Sequence, residues 1–118
     1  MHTIMLVDDD AVLLRCLTEL LEKCGYQAIG HPNAETALAE IAAGTQVDLV
    51  ITDYRLTGMD GVEFLHALRH LRPELPAVLL TAHGTLDGYL KAKGLGGVEF
   101  IPKPVKATEL KRTIEASL

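Results

Sequence analysis

Acidic side chains that could bind a metal ion or attack an electrophile stand at the ends of predicted strands. Asp53 follows an apolar run at residues 47–52, which is typical of a central parallel strand covered on both faces. Asp8 and Asp9 follow a similar run at residues 2–7. A carboxylate beside a buried strand is costly unless a cation meets it. Taken alone, however, each of these acids could simply cap a helix or a turn.

Two further strand ends favour a shared site. Thr81 follows the apolar run at residues 77–80, and Lys103 comes just after the run at residues 98–101. Ligands of open parallel sheets bind outside the carboxyl ends of the strands, so these side chains are expected to share one cleft with the acids. Three carboxylates there would repel one another unless a hard divalent cation joined them, and oxygen ligands suit Mg²⁺.

The elements that must position these residues alternate along the chain. Strand and helix patterns follow one another throughout, which predicts an α/β fold of (βα)₅ type, a three-layer sandwich around a parallel sheet. Besides the strand runs above, the predicted elements are a short second strand at residues 26–29 and helices at residues 11–24, 34–43, 61–72, 85–93 and 107–118. Within the fourth of these helices, Gly88 interrupts the apolar stripe.

Length and composition are those of one globular domain covering residues 1–118, with 48% hydrophobic and 23% charged residues. No apolar run could span a bilayer and no signal-peptide pattern is present, which predicts a cytoplasmic protein with no membrane contact. The net charge of −5 argues against direct binding of nucleic acid. Cys16 and Cys24, roughly 12 Å apart along the first helix, are too distant for a disulfide and are predicted to be reduced thiols in the core.

Five short motifs follow one another along the chain: VDDD at residues 7–10, TDYRL at 52–56, GMDG at 58–61, TA at 81–82 and KP at 103–104. With these motifs in this order, the chain resembles the receiver (phosphoacceptor) domain of two-component response regulators over its whole length. The resemblance implies a flavodoxin-like fold with a five-stranded parallel sheet in the order 2-1-3-4-5.

The resemblance also implies roles for individual residues. Asp53 would be the nucleophile that takes the phosphoryl group, and Lys103 would neutralise phosphoryl oxygens, next to a peptide bond with Pro104 that is commonly cis in this family. Thr81 would offer a hydroxyl to the phosphoryl group and form a conformational switch with Phe100, although Phe100 could equally be a core residue. The implied Mg²⁺ ligands are Asp9 directly, Asp8 mostly through water, Asp53, and the backbone carbonyl of Arg55. His83 and Arg55 would occupy positions that tune dephosphorylation.

The function implied is signalling by phosphorylation, with a sensor histidine kinase or a histidine phosphotransfer protein as partner. Such a domain is not an enzyme in the ordinary sense, because it catalyses only its own phosphorylation and dephosphorylation. The sequence identifies neither the output domain or partner nor whether the chain is a stand-alone regulator or a piece of a longer one. Thr57, where proline is frequent, and the glycine-rich residues 94–97 depart from the family pattern; both departures are predicted to loosen loops without touching the chemistry.

Three alternative functions compete with this one. A phosphatase with an aspartyl-phosphate intermediate would need further catalytic acids and a cap. A flavin protein would need a hydroxyl- and glycine-rich loop after the first strand, whereas residues 8–10 are all acidic. A degenerate receiver would bind partners without phosphorylation, and the complete acidic set argues against that hypothesis.

Overall fold

The computed structural model describes residues 1–82 and 94–118, and it contains a five-stranded parallel sheet. The strand order β2-β1-β3-β4-β5 and the flavodoxin-like architecture confirm the predicted fold. The predicted helix at residues 85–93 and His83 lie outside the described residues. The strands are β1 (Thr3–Val7), β2 (Gln27–His31), β3 (Leu49–Asp53), β4 (Ala77–Thr81) and β5 (Val98–Pro102), and the described helices are α1 (Ala11–Lys23), α2 (Ala34–Ala42), α3 (Gly61–Leu71) and α4 (Ala107–Ser117).

The sheet separates two hydrophobic clusters, because successive side chains of a strand point to opposite faces. In β1, Met5 and Val7 belong to the cluster that packs against α2 and α3, whereas Ile4 and Leu6 belong to the cluster beneath α1 and α4. All five residues of β3 are buried. This is why the strand leading to Asp53 reads as a continuous apolar run rather than an alternating one.

Side-chain caps fix where the helices begin. The Asp10 carboxylate accepts hydrogen bonds from the backbone N–H groups of Val12 and Leu13 at 3.1 and 3.2 Å. At the start of α3, Asp60 and Glu63 form a reciprocal capping box. Such caps each stabilise a helix by about 1 kcal/mol. The cap on α1 therefore ends the β1–α1 loop immediately after Asp9.

The structure corrects some details of the prediction. The second strand is Gln27–His31 rather than residues 26–29. Phe64 is fully buried although the sequence pattern did not single it out. The two cysteines are not core residues, since Cys16 is exposed and Cys24 is half-buried. In α1 the face against the sheet is formed by Leu17 and Leu21, and Cys16, about 100° from Leu17 around the helix, points away from it.

Arg69 connects the glycine-rich residues 94–97 to α3, and the prediction that these glycines loosen the loop stays a prediction. Its guanidinium donates hydrogen bonds to the carbonyl of Leu75, to that of Gly96 at 3.1 Å and to that of Gly97 at 3.3 Å. Gly96 and Gly97 have φ angles of +69° and +64°, a region that glycine adopts without strain. The contact anchors the chain just before β5 begins.

β5 is an edge strand of the sheet, and β4 holds its C-terminal end. Thr81 pairs with Pro102, and the next backbone N–H, that of Lys103, donates to the Thr81 carbonyl at 2.7 Å. The Lys103–Pro104 peptide bond is cis, as the resemblance implied. These contacts fix the point from which the Lys103 side chain departs.

No helix within residues 1–82 and 94–118 is long and apolar enough to cross a membrane.

Candidate functional site

Three aspartates meet at the carboxyl ends of β1 and β3: Asp8 and Asp9 directly follow β1, and Asp53 is the last residue of β3. Asp8, Asp9 and Asp53 each offer a carboxylate oxygen, and these oxygens all lie within 4.8 Å of one another. Asp8 and Asp53 are buried, whereas Asp9 is exposed. The pairing of β1 with β3 produces this arrangement, because Val7 lies beside Thr52 and each strand then delivers its acids at the same edge. The structure thus brings the three predicted acids together.

Lys103 brings a positive charge to the same place. Its Nζ lies 2.7 Å from Asp53 Oδ2, and the two side chains are 28% and 9% exposed. Among the contacts within residues 1–82 and 94–118, the other oxygen of Asp53, Oδ1, accepts a long hydrogen bond of 3.4 Å from the backbone N–H of Arg55. The two oxygens of Asp53 are therefore unequal: Oδ2 is paired with a cation, and Oδ1 is the more available one.

Of the three acids, Asp8 has the least favourable surroundings for a negative charge. Its Oδ1 accepts a hydrogen bond of 2.9 Å from the backbone N–H of Asp10, while Oδ2 is buried with no hydrogen-bond partner among the described residues. Burial raises the pKa of the Asp8 carboxyl above its ordinary value; the Asp10 N–H opposes this rise and the nearby Asp53 adds to it. A buried oxygen without a partner, beside two further carboxylates, fits a hard divalent cation.

The other predicted site residues lie around this pocket at different depths. Thr81 is half-buried at the end of β4, next to Leu80, which pairs with Asp53. Phe100 is half-buried and packs against the cluster beneath α2 and α3, so the structure supports its core character. Arg55 is exposed, and its backbone N–H faces Asp53.

Gly61 is a site residue whose importance the sequence reasoning missed. Its N–H donates to the Tyr54 carbonyl at 2.7 Å, and the Tyr54 N–H donates to the Leu80 carbonyl at 2.9 Å. A Cβ at Gly61 would overlap the backbone carbonyl oxygen of Asp53 and lie 2.9 Å from Tyr54 Cα. Glycine is therefore required for α3 to begin against the backbone of Asp53. The sequence signals were its place in the GMDG motif and its position directly after the capping Asp60, and neither indicated the close approach to Asp53.

Thr57 contacts the acidic pocket, so the prediction that its departure from the family pattern leaves the site untouched is wrong. The Thr57 hydroxyl lies 3.0 Å from Asp9 Oδ2 and donates a hydrogen bond to it. Gly58, with a φ angle of +85°, forms the turn that follows Thr57. The contact joins the β1–α1 loop to the β3–α3 loop across 48 residues of sequence.

Neutralising Asp8 should stabilise the metal-free protein. Asp8→Asn keeps the shape and the acceptor for Asp10 but removes a buried charge beside Asp53, so the free energy of unfolding in chelator should rise by about 1–2 kcal/mol. Because the pKa of Asp8 is raised in the native state, protonation of its carboxyl stabilises the fold fully at pH values below 3.8, the pKa in the unfolded chain. This stabilisation is lost as the pH rises through the native pKa. The gain from Asp8→Asn should accordingly be complete at neutral pH and disappear toward pH 3.8.

Denaturant unfolding of both proteins at several pH values would measure this effect. Mg²⁺ should reverse the order of stability, because it would bind the wild-type carboxylates and stabilise the native state by mass action. Equal stability of the two proteins in chelator at neutral pH would contradict the assignment of strain to Asp8.

Comparison with known proteins gives one consistent picture. The family model described as "Response regulator receiver domain" matches residues 4–115. The chain is 33% identical over 116 residues to the DNA-binding transcriptional regulator NtrC of Azospirillum brasilense, covering 98% of this chain and 24% of that protein. It is 35% identical over 119 residues to the nitrogen assimilation regulatory protein NtrX of Azorhizobium caulinodans, covering 99% of this chain and 26% of that protein. The chain thus spans about a quarter of the length of these curated relatives.

Solved structures show the same similarity in three dimensions. The receiver domain of NtrX from Brucella abortus superposes with a TM-score of 0.89 at 32% identity, covering 98% of this chain and 97% of that one. A response regulator receiver domain protein from Clostridium thermocellum superposes with a TM-score of 0.94 at 27% identity, covering 99% of this chain and 94% of that one.

Proposed function

Because the chain belongs to the receiver domains of two-component response regulators, a family of phosphoacceptor signalling domains, we propose that Asp53 is the residue that accepts its phosphoryl group. The observation that carries the proposal is the contact of 2.7 Å between Asp53 and Lys103, beside two further acids. A structural carboxylate would need only the lysine. The addition of Asp8 and Asp9 makes sense when a cation and a phosphoryl group also occupy the pocket.

The unequal oxygens of Asp53 suggest how the transfer proceeds. Oδ1, the more available oxygen, attacks the phosphorus of a phosphohistidine or a small phosphodonor, so that an O–P bond forms while the bond from phosphorus to the leaving group breaks. Lys103, already at 2.7 Å from Oδ2, neutralises charge on the phosphoryl oxygens. The half-buried lysine holds this charge in place before the reaction, so little reorganisation is needed.

Mg²⁺ fits the donor set of the pocket. The carboxylates of Asp8, Asp9 and Asp53 would hold it, with the backbone carbonyl of Arg55 as a further ligand. When bound, this ion supplies positive charge that offsets both the acids and the transferred phosphoryl group. The partnerless Oδ2 of Asp8 supports this role, since a bound cation or its water would satisfy that oxygen.

The response to phosphorylation is proposed to involve Thr81 and Phe100. Thr81 follows Leu80, the register partner of Asp53, and this position at the end of β4 supports a contact between its hydroxyl and a phosphoryl oxygen. Phe100 lies one strand further along, on β5, and is half-buried. Movement of both residues would carry the change from the pocket to the face formed by β4 and β5.

The proposed partners follow from this chemistry. A cytoplasmic sensor histidine kinase or histidine phosphotransfer protein would supply the phosphoryl group, and the domain would catalyse only its own phosphorylation and dephosphorylation. Its net charge of −5 supports a domain that does not itself contact nucleic acid. The names of the relatives include DNA-binding regulators, so any such contact would belong to other parts of a longer protein.

Incubation with a small phosphodonor tests the proposal. In Mg²⁺ the intact mass should increase by one phosphoryl group, and peptide mapping should locate the group on Asp53. In excess chelator the adduct should be almost absent, because the repulsion among the three carboxylates is then not offset. An adduct on another residue, or one that forms equally well in chelator, would refute the proposed function.

A further inference from the structure

We propose that Thr57 is a positioning residue for the cation site, and that its hydroxyl holds Asp9 in the orientation that binds the metal. This inference rests on the proposed function, since it assumes that Asp9 is a ligand. Asp9 Oδ2 accepts a hydrogen bond from the Thr57 hydroxyl at 3.0 Å, and this contact fixes the orientation of the Asp9 carboxylate within the cluster of three acids. Proline, the frequent residue at this position of the family, has no hydroxyl with which to do this.

Asp9 is the member of the acid trio that most needs such a contact. Asp8 is buried and is held by the Asp10 N–H, and Asp53 is buried and is held by Lys103. Asp9 is exposed, so without a partner its carboxylate would sample several rotamers in water. A ligand that must be immobilised when the metal binds loses rotamer entropy, which weakens binding.

The backbone around Thr57 delivers the hydroxyl to that point. Thr57 lies between the end of β3 at Asp53 and the start of α3 at Gly61, whose close approach to the Asp53 backbone fixes both ends of the loop. Gly58 adopts a φ angle of +85° and forms the turn that directly follows Thr57. The loop is short and is held at Gly61, which keeps the Thr57 hydroxyl beside Asp9, where it can orient the carboxylate.

Removal of the hydroxyl should weaken Mg²⁺ binding with little effect on the fold. Thr57→Val is nearly isosteric, and groups that orient a metal ligand typically contribute 10- to 100-fold in affinity. Because Asp9 and Thr57 are exposed, we expect the lower end of that range, about a tenfold increase in Kd. Thr57→Ser keeps the hydroxyl and should bind Mg²⁺ within about twofold of the wild type, since the hydrogen bond is retained.

Titration calorimetry with Mg²⁺ alone, and the thermal midpoint as a function of Mg²⁺, would test these values. Thr113→Val is a matched control, because it also removes a hydroxyl, one that donates to the Glu109 carbonyl at 2.9 Å within α4. It should leave the Mg²⁺ affinity unchanged. In the Asp9→Asn background, Thr57→Val should cost no further affinity, because the two changes remove the same interaction.

The outcomes distinguish the positioning role of Thr57 from the proposed function of the domain. Wild-type affinity for Thr57→Val would overturn the inference alone, as would an equal loss in Thr57→Ser. A full additional loss from Thr57→Val in the Asp9→Asn background would also overturn it, because Thr57 would then act through another group. A wild-type protein that neither binds Mg²⁺ nor accepts a phosphoryl group would overturn the proposed function and the inference with it.

Discussion

Replacement of Asp53 by asparagine should abolish the phosphoryl adduct completely. The amide has nearly the shape of the carboxylate but is a very poor nucleophile toward phosphorus, so no slower version of the same reaction remains. The fold should survive, because the change removes the ion pair with Lys103 and also the repulsion of Asp53 by Asp8. Lys103 is 28% exposed and so retains access to water, which limits the cost of its lost partner. Intact mass after incubation with a phosphodonor measures the loss.

Asp10→Asn is the matched control for this experiment. Asp10 belongs to the same acidic run, but its carboxylate caps α1, and asparagine caps a helix about equally well. This variant should therefore be phosphorylated to nearly the wild-type extent. An adduct of wild-type yield in Asp53→Asn, or its complete loss in Asp10→Asn with the fold intact, would contradict the assignment of roles within the pocket.

Substitution of alanine for Gly61 should destabilise the fold by about 3 kcal/mol, at the upper end of the usual cost of overpacking. Alanine is the better helix former by roughly 0.5–1 kcal/mol, but this gain is smaller than the cost of the contact that it creates. A Cβ at this position would meet backbone atoms of Asp53 and Tyr54, and backbone cannot move aside as a flexible side chain can. The thermal midpoint should fall by roughly 10 °C.

Gly94→Ala serves as the control for Gly61→Ala. No atom of residues 1–82 or 96–118 lies within 4 Å of a Cβ at Gly94 and the residue is exposed, so alanine should change stability by less than about 0.5 kcal/mol. Denaturant unfolding of both variants gives the comparison. If the two variants were equally stable, the close approach of α3 to β3 would not be what requires glycine at position 61.

The sequence predicted most of the pocket because strand ends in a parallel sheet share one edge. Asp8, Asp53 and Lys103 could each be placed there from the apolar run that precedes it, without knowing any contact. The strand order itself came from the family resemblance. Asp10 could also be assigned its cap, since helix N-termini attract acids of this kind.

Thr57 and Gly61 could not be assigned in the same way. Their importance depends on the path of the β3–α3 loop, which decides that a hydroxyl reaches Asp9 and that a helix starts against the Asp53 carbonyl. Local patterns carry no record of contacts across 48 residues. The burial of Cys16 was wrongly predicted for a related reason. One residue along a helix turns the side chain from the buried face to the exposed face, and the hydrophobic pattern alone did not distinguish the two positions.

Pro102, the last residue of β5, bears on self-association. In a parallel strand, the backbone N–H groups of successive residues face opposite neighbours. The N–H of Lys103 donates to β4, so the backbone of the preceding Pro102 faces the outer edge of the sheet, where proline has no N–H to donate. Prolines on edge strands are a known defence against aggregation. The end of β5 nearest Asp53 therefore lacks a donor that another chain would need to extend the sheet there.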